Sequence, residues 1–159
     1  MAVGSGRGKA RRGLSSVSPR LFRVDGRKEW RLGGPAGPLH RIGGPAYEEA
    51  DGYKAWLENG LLHRADGPAI EYTNGGMAWY SHGKLHRVDG PAAENVGDQD
   101  AWYVNGQKHR LDGPAIEWYN GDKEWWVDGK RIEEKEFASN ILIKRLEGIS
   151  LDAPGKVTF

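Results

Sequence analysis

Hydrophobic and polar positions recur along this chain with a period of 23 residues. Tryptophan stands at Trp56, Trp79, Trp102 and Trp125, and histidine at His40, His63, His86 and His109. Glutamate keeps the same spacing at Glu48, Glu71, Glu94 and Glu117, as does glycine at Gly60, Gly83, Gly106 and Gly129. The common unit reads Leu-His-Arg-x-Asp-Gly-Pro-Ala-x-Glu, a turn, then Trp-x-x-x-Gly, and is clearest from Leu62 to Ala69 and from Leu85 to Ala92. The segment Asp25 to Trp30 matches Asn120 to Trp125, so a partial copy precedes the first full one, with Pro35-Ala36-Gly37 inserted after it. A fixed period of this length means units that bury their apolar faces only against their neighbours. Residues 21–130 thus read as a repeat array, with a partial unit over 21–38 and full units over 39–61, 62–84, 85–107 and 108–130.

Within a unit the pattern is β. Apolar segments flank Asn74-Gly75, and an Asn-Gly pair between such segments predicts a two-residue type I′ hairpin turn. That turn would set Ile70 opposite Trp79. A second turn at His82-Gly83 would set Trp79 opposite His86, and likewise Trp102 opposite His109. Each unit would then carry an Ile–Trp–His row on one sheet face, with Trp56, Trp79, Trp102 and Trp125 as the core and the histidines covering them. A buried indole removes about 150–250 Å² from water, a sufficient reason for one Trp per unit. Leu57, Tyr80, Tyr103 and Trp126 alternate with the tryptophans and are expected on the other face. Asp89-Gly90-Pro91 ends a unit, because proline cannot donate to the ladder.

After the array the grammar changes. Residues 133–147 hold neither Gly nor Pro, and Phe137, Ile141, Leu142 and Leu146 fall near helical spacing, with Gly148 as a C′ residue. A helix in segment 131–148 is expected to cap the open sheet edge, leaving 149–159 as a tail. The predicted fold is mainly β: an elongated single-sheet β-meander or solenoid of repeats with a C-terminal capping α-helix.

Composition narrows the classes. Glycine and proline total 24 and 8 of 159 residues, more than a helical bundle tolerates. The absence of cysteine removes disulfides, thiolate metal sites and a Cys nucleophile. No apolar run approaches a membrane span, and no secretory apolar segment precedes the array.

The net charge is +1, but residues 1–31 hold nine bases and two acids, +7, and the other 128 residues carry −6. Residues 1–20 contain Arg7, Lys9, Arg11, Arg12 and Arg20 and no acid, which reads as a flexible basic arm. The arm is open to three readings: an electrostatic contact to phosphate in nucleic acid or a ribonucleoprotein, a mitochondrial presequence, or a solvated tail.

The repeated His, Arg and Asp residues are the chemistry-bearing groups. Catalysis needs one convergent site, whereas these recur at equal translation, so no catalytic residue, metal site or cofactor is assigned. Asp is expected in its Asp-Gly turn. Arg41, Arg64, Arg87 and Arg110 are read either as partners of the Glu column or, with Tyr80, Tyr103 and Trp126, as a ligand-binding column.

The period, the Trp and the Gly-x-x-His step from Gly83 to His86 resemble MORN repeats over about two thirds of the chain. Trp79 to Gly83 is one residue longer than the MORN spacing, and Arg-x-Asp-Gly-Pro-Ala replaces its His-Gly-x-Gly. The unit is closest to a MORN-like variant, Trp-Tyr-x-Asn-Gly-Lys-x-His-Arg-x-Asp-Gly-Pro-Ala, of bacteriophage and large-virus proteins. The resemblance implies a non-enzymatic scaffold that binds a protein partner, in the cytoplasm, or in the host cytoplasm or virion if phage-encoded. Two alternatives stand beside it: a component of a large particle anchored by the arm, and a small-ligand or nucleotide binder.

Overall fold

The computed structural model describes residues 18–146, with side chains as far as Asn140. Its elements, in order, are β1 (Arg20–Val24), β2 (Arg27–Arg31), β3 (Tyr47–Glu48), β4 (Lys54–Ala55), β5 (Leu57–Glu58) and β6 (Leu61–Leu62). There follow β7 (Ile70–Glu71), β8 (Met77–Ala78), β9 (Tyr80–Ser81), β10 (Lys84–Leu85), β11 (Ala93–Glu94) and β12 (Gln99–Ala101). The last are β13 (Tyr103–Val104), β14 (Gln107–Lys108), β15 (Ile116–Trp118), β16 (Lys123–Val127), β17 (Lys130–Ile132) and helix α1 (Glu134–Leu146). The chain is mainly β, as its pattern predicts, with one long antiparallel meander and no closed barrel.

Eleven strands make the long sheet, in the order β1-β2-β3-β4-β7-β8-β11-β12-β15-β16-β17. The pairs β5-β6, β9-β10 and β13-β14 form short hairpins beside it. Each complete unit therefore adds one hairpin to the sheet and one to a flanking column. Backbone bonds tie the column together: Gly83 donates to the Leu62 carbonyl at 2.8 Å and Gly106 to that of Leu85 at 2.8 Å.

The two turns of a unit are of different kinds. In the flanking hairpins both turn residues have positive φ, 48° at His82 and 82° at Gly83, the type I′ geometry that matches strand twist. The parity of this turn puts Trp79 opposite His86, whose N–H donates to the Trp79 carbonyl at 3.0 Å. The first turn corrects the expected register. Thr73, Asn74 and Gly75 make a three-residue loop closed by Tyr72 N–H to Gly76 O at 2.9 Å, with only Gly75 at positive φ. The Asn74 side chain accepts the Gly76 N–H at 3.0 Å, an Asx turn that a two-residue hairpin has no room for. One added loop residue shifts the ladder by one position, so Ile70 faces Ala78 and not Trp79.

That shift separates the expected row onto two faces. One face carries Tyr47, Ala55, Ile70, Ala78, Ala93, Ala101 and Ile116 in register. The other alternates Trp and Ala, because Trp30, Trp56, Trp79 and Trp102 donate backbone N–H bonds of 2.7–2.8 Å to the carbonyls of Ala46, Ala69, Ala92 and Ala115. Those four alanines are 0% exposed, whereas Trp56, Trp79, Trp102 and Trp125 are only half-buried. The Trp column is thus not the enclosed core expected from its size. A sheet without a second layer can enclose only side chains short enough for their neighbours to cover, which here means alanine and isoleucine. Helix α1 lies against β16, with Phe137 buried at 8% exposure. The side chains of Ile141, Leu142 and Leu146, with Gly148 and the 149–159 tail, lie outside the described residues.

Candidate functional site

The Trp face is closed by arginine rather than by histidine. The guanidinium carbons of Arg41, Arg64, Arg87 and Arg110 lie 3.9, 4.1, 3.8 and 3.9 Å from the ring centroids of Trp30, Trp56, Trp79 and Trp102. Each guanidinium is also held in its own loop. Arg87 donates to Asp89 at 3.0 Å, to the Pro91 carbonyl at 3.2 Å and to Glu94 at 3.1 Å. Arg64 repeats this with Asp66, Pro68 and Glu71, and Arg110 with Asp112, Pro114 and Glu117. Arg41 has Gly43 in the Asp position; it keeps the Pro45 carbonyl at 3.1 Å and Glu48 at 3.6 Å. The glycine of each Asp-Gly turn lies beneath the plane of the arginine: a Cβ on Gly90 would stand 2.8 Å from the Arg87 guanidinium carbon. The Arg87 bond holds the Asp89 carboxyl below its ordinary value. A guanidinium that covers the indole of the preceding unit and binds a turn, a carbonyl and the Glu column of its own is a clasp between the two.

The histidines tie the start of each unit to its second turn. Nδ1 of His40, His63, His86 and His109 accepts the backbone N–H of Asn59, His82, Asn105 and Asp128, each 19 residues ahead, at 3.0–3.4 Å. Each acceptor thus satisfies the first residue of the following I′ turn. His109 is itself buried, and its Nε2 has no partner among the described residues. No group of three or more His, Asp or Glu positioned for a metal ion occurs among the described residues.

The opposite face is aromatic. Tyr80, Tyr103 and Trp126 share it with Leu57, and all are half-buried. Tyr103 and Trp126 pack with Val96 and Trp118 over Ala93, Ala101 and Ile116. Burial pushes the Tyr80 and Tyr103 phenols above their ordinary value, so both are neutral donors at physiological pH. The Trp126 Nε1 donates to Glu124 at 2.8 Å, and Lys108 Nζ lies 4.3 Å from its ring centroid. Sequence reasoning missed three members of this strip. Tyr47 meets Tyr53 edge-on at 6.0 Å between centroids, and Tyr53 meets Tyr72 at 5.8 Å. The signal was present, since Tyr53 precedes Ala55 by two and Tyr72 follows Ile70 by two, the strand period that keeps residues on one face.

The guanidiniums of Arg41, Arg64, Arg87 and Arg110 cover the Trp face and the rings of Tyr80, Tyr103 and Trp126 lie towards the other, yet Arg64, Arg87 and Tyr80 line one open cleft together with His63, Trp79 and His86. Of the arm residues, Arg20 opens β1 and is exposed, while Arg7, Lys9, Arg11 and Arg12 lie outside the described residues. No described helix is long and apolar enough to cross a membrane. No family model, curated protein or solved structure matches the chain.

Proposed function

We propose that the chain is a non-enzymatic interaction module that docks on a protein assembly through its aromatic face. The observation that carries this reading is the strip of half-buried rings on a floor of alanine, running from Tyr47, Tyr53 and Tyr72 through Tyr80 and Tyr103 to Trp126. Rings held this way present apolar area and phenol donors with little entropy left to lose, the composition favoured at protein–protein contacts. Recognition by the arginine column is disfavoured by the bonds each guanidinium already makes. The likeness of the unit to MORN repeats supports the same reading, which places the protein in the cytoplasm or, if phage-encoded, in the host cytoplasm or virion.

The test is a comparison of affinity capture from the native source using the parent and the Tyr80→Lys, Tyr103→Lys double variant, followed by binding to the purified partner. Lysine stems still cover the alanines while their charge points outward. Loss of the partner with an unchanged melt is expected. Retention of the partner by the variant would assign the contact elsewhere.

A further inference from the structure

The outward edge of β1 differs from every inner edge of the sheet in the sign of one residue. A row of facing positions crosses the sheet through Arg23, Lys28, Glu48, Lys54, Glu71, Met77 and Glu94. Each inner unit fills the Arg23 position with glutamate, and in the first two the incoming strand of the preceding unit answers with lysine: Lys28 reaches Glu48 at 2.8 Å and Lys54 reaches Glu71 at 3.6 Å, whereas Met77 faces Glu94 and Asp100 faces Glu117. At β1 the residue is Arg23, its inner neighbour is Lys28, and neither Arg23 nor Arg20 pairs with a carboxylate among the described residues. Leu21 and Val24 on the same strand are 43% and 40% exposed.

Among the described residues the backbone of this edge has no partner strand either. Asp25 and Gly26 form a two-residue turn with φ of 48° and 80°, which makes Val24 and Arg27 a hydrogen-bonded pair. Alternation then turns the N–H and C=O groups of Val24, Phe22 and Arg20 towards β2, and those of Arg23 and Leu21 outward. The same parity holds on β2, where Trp30, opposite Leu21, donates away from β1 to Ala46 at 2.8 Å.

We propose that β1 accepts an extended acidic segment of a partner protein as an added antiparallel strand. The inference goes beyond the aromatic-face reading and stands on different residues. Charge selects the occupant. A second copy paired β1 to β1 would gather four arginines, and a head-to-tail copy would set its Lys123 against Arg23, since Lys123 holds the incoming-strand position on β16. A foreign strand with carboxylates facing Arg23 and Arg20, and apolar residues facing Val24, Phe22 and Leu21, meets both the charge and the ladder. Read from its N-terminus, that strand is apolar, acidic, apolar, apolar, acidic.

The experiment is fluorescence anisotropy of the full chain with a labelled, end-blocked peptide centred on Val-Glu-Val-Ile-Glu. Binding is expected to exceed that of the scrambled and the lysine-for-glutamate peptides by at least about tenfold and to weaken with salt. N-methylation of the first Glu and the Ile, whose amides face β1, should abolish it, while methylation of the alternate amides should be tolerated. Arg23→Glu, at an exposed position, should leave the melt unchanged, weaken the acidic peptide about tenfold and admit the lysine peptide. Failure to bind, indifference to the methylated positions, a chain dimer dissolved by Arg23→Glu, or an oligonucleotide that displaces the peptide without amide dependence would each overturn the proposal.

Discussion

The Arg87 guanidinium lies over the Trp79 indole, its central carbon 3.8 Å from the ring centroid, although the two residues belong to successive units. The same guanidinium binds the Asp89-Gly90-Pro91 loop of its own unit, so one side chain joins two repeats. A stacked, forked contact of this kind asks for arginine and not merely for a positive charge.

Arg87→Ala should therefore destabilise the array by about 2–4 kcal/mol, since it uncovers an indole and leaves the Pro91 carbonyl without its donor. Arg87→Lys should recover less than half of the loss. A denaturant melt in which lysine matched arginine would show that charge alone suffices.

Trp79→Ala should cost about 3–5 kcal/mol, as expected for removing a large aromatic from a packed site. Because the ring and the guanidinium act as one unit, the double variant with Arg87→Ala should fall short of additivity by about 1–2 kcal/mol. Strict additivity in the double-mutant cycle would separate the two roles.

Gly90→Ala tests the clasp without touching either partner. Its Cβ would stand 2.8 Å from the Arg87 guanidinium carbon and 3.0 Å from Nη2, so the arginine must lift off the turn. A loss of about 1–2 kcal/mol, and a quenched or shifted Trp emission, are expected. A variant with parental stability and fluorescence would place the arginine elsewhere in solution.

The Asp89 carboxyl, lowered by its Arg87 bond, gives a pH signature. A depressed folded value contributes stability that is complete above the unfolded aspartate value and is lost as pH falls through the folded one. The stability difference between the parent and Asp89→Asn should be constant near neutrality and vanish at low pH. The effect is small because Asp89 is exposed. A difference that grew on acidification would contradict the sign.

The fold was legible wherever the sequence states parity without ambiguity. His82-Gly83 and its equivalents are two-residue turns, and they fix Trp79 against His86. Asn74-Gly75 reads the same way in one dimension, but the Asn74 side chain closes an Asx turn and takes a third residue into the loop. That single residue moved the tryptophans from Ile70's face to the opposite one. The Arg–Glu pairing was legible from charge. The arginine's place on the indole was not, because Arg87 reaches back to the Trp79 of the preceding unit, a contact between units that the pattern within one unit does not state. On the aromatic face, only residues that follow Trp were recognisable by the repeat. Tyr47, Tyr53 and Tyr72 needed strand alternation as well.

The histidine bonds all point one way along the chain. Each Nδ1 acceptor is satisfied 19 residues later, within its own unit, and the backbone N–H groups of Trp30, Trp56, Trp79 and Trp102 are satisfied by a carbonyl of the next unit. The array's last unit breaks that rule. Ile132 faces Trp125 where the others have histidine, and Glu133 stands where arginine would follow, so the last indole has neither the histidine opposite it nor the arginine that covers its equivalents.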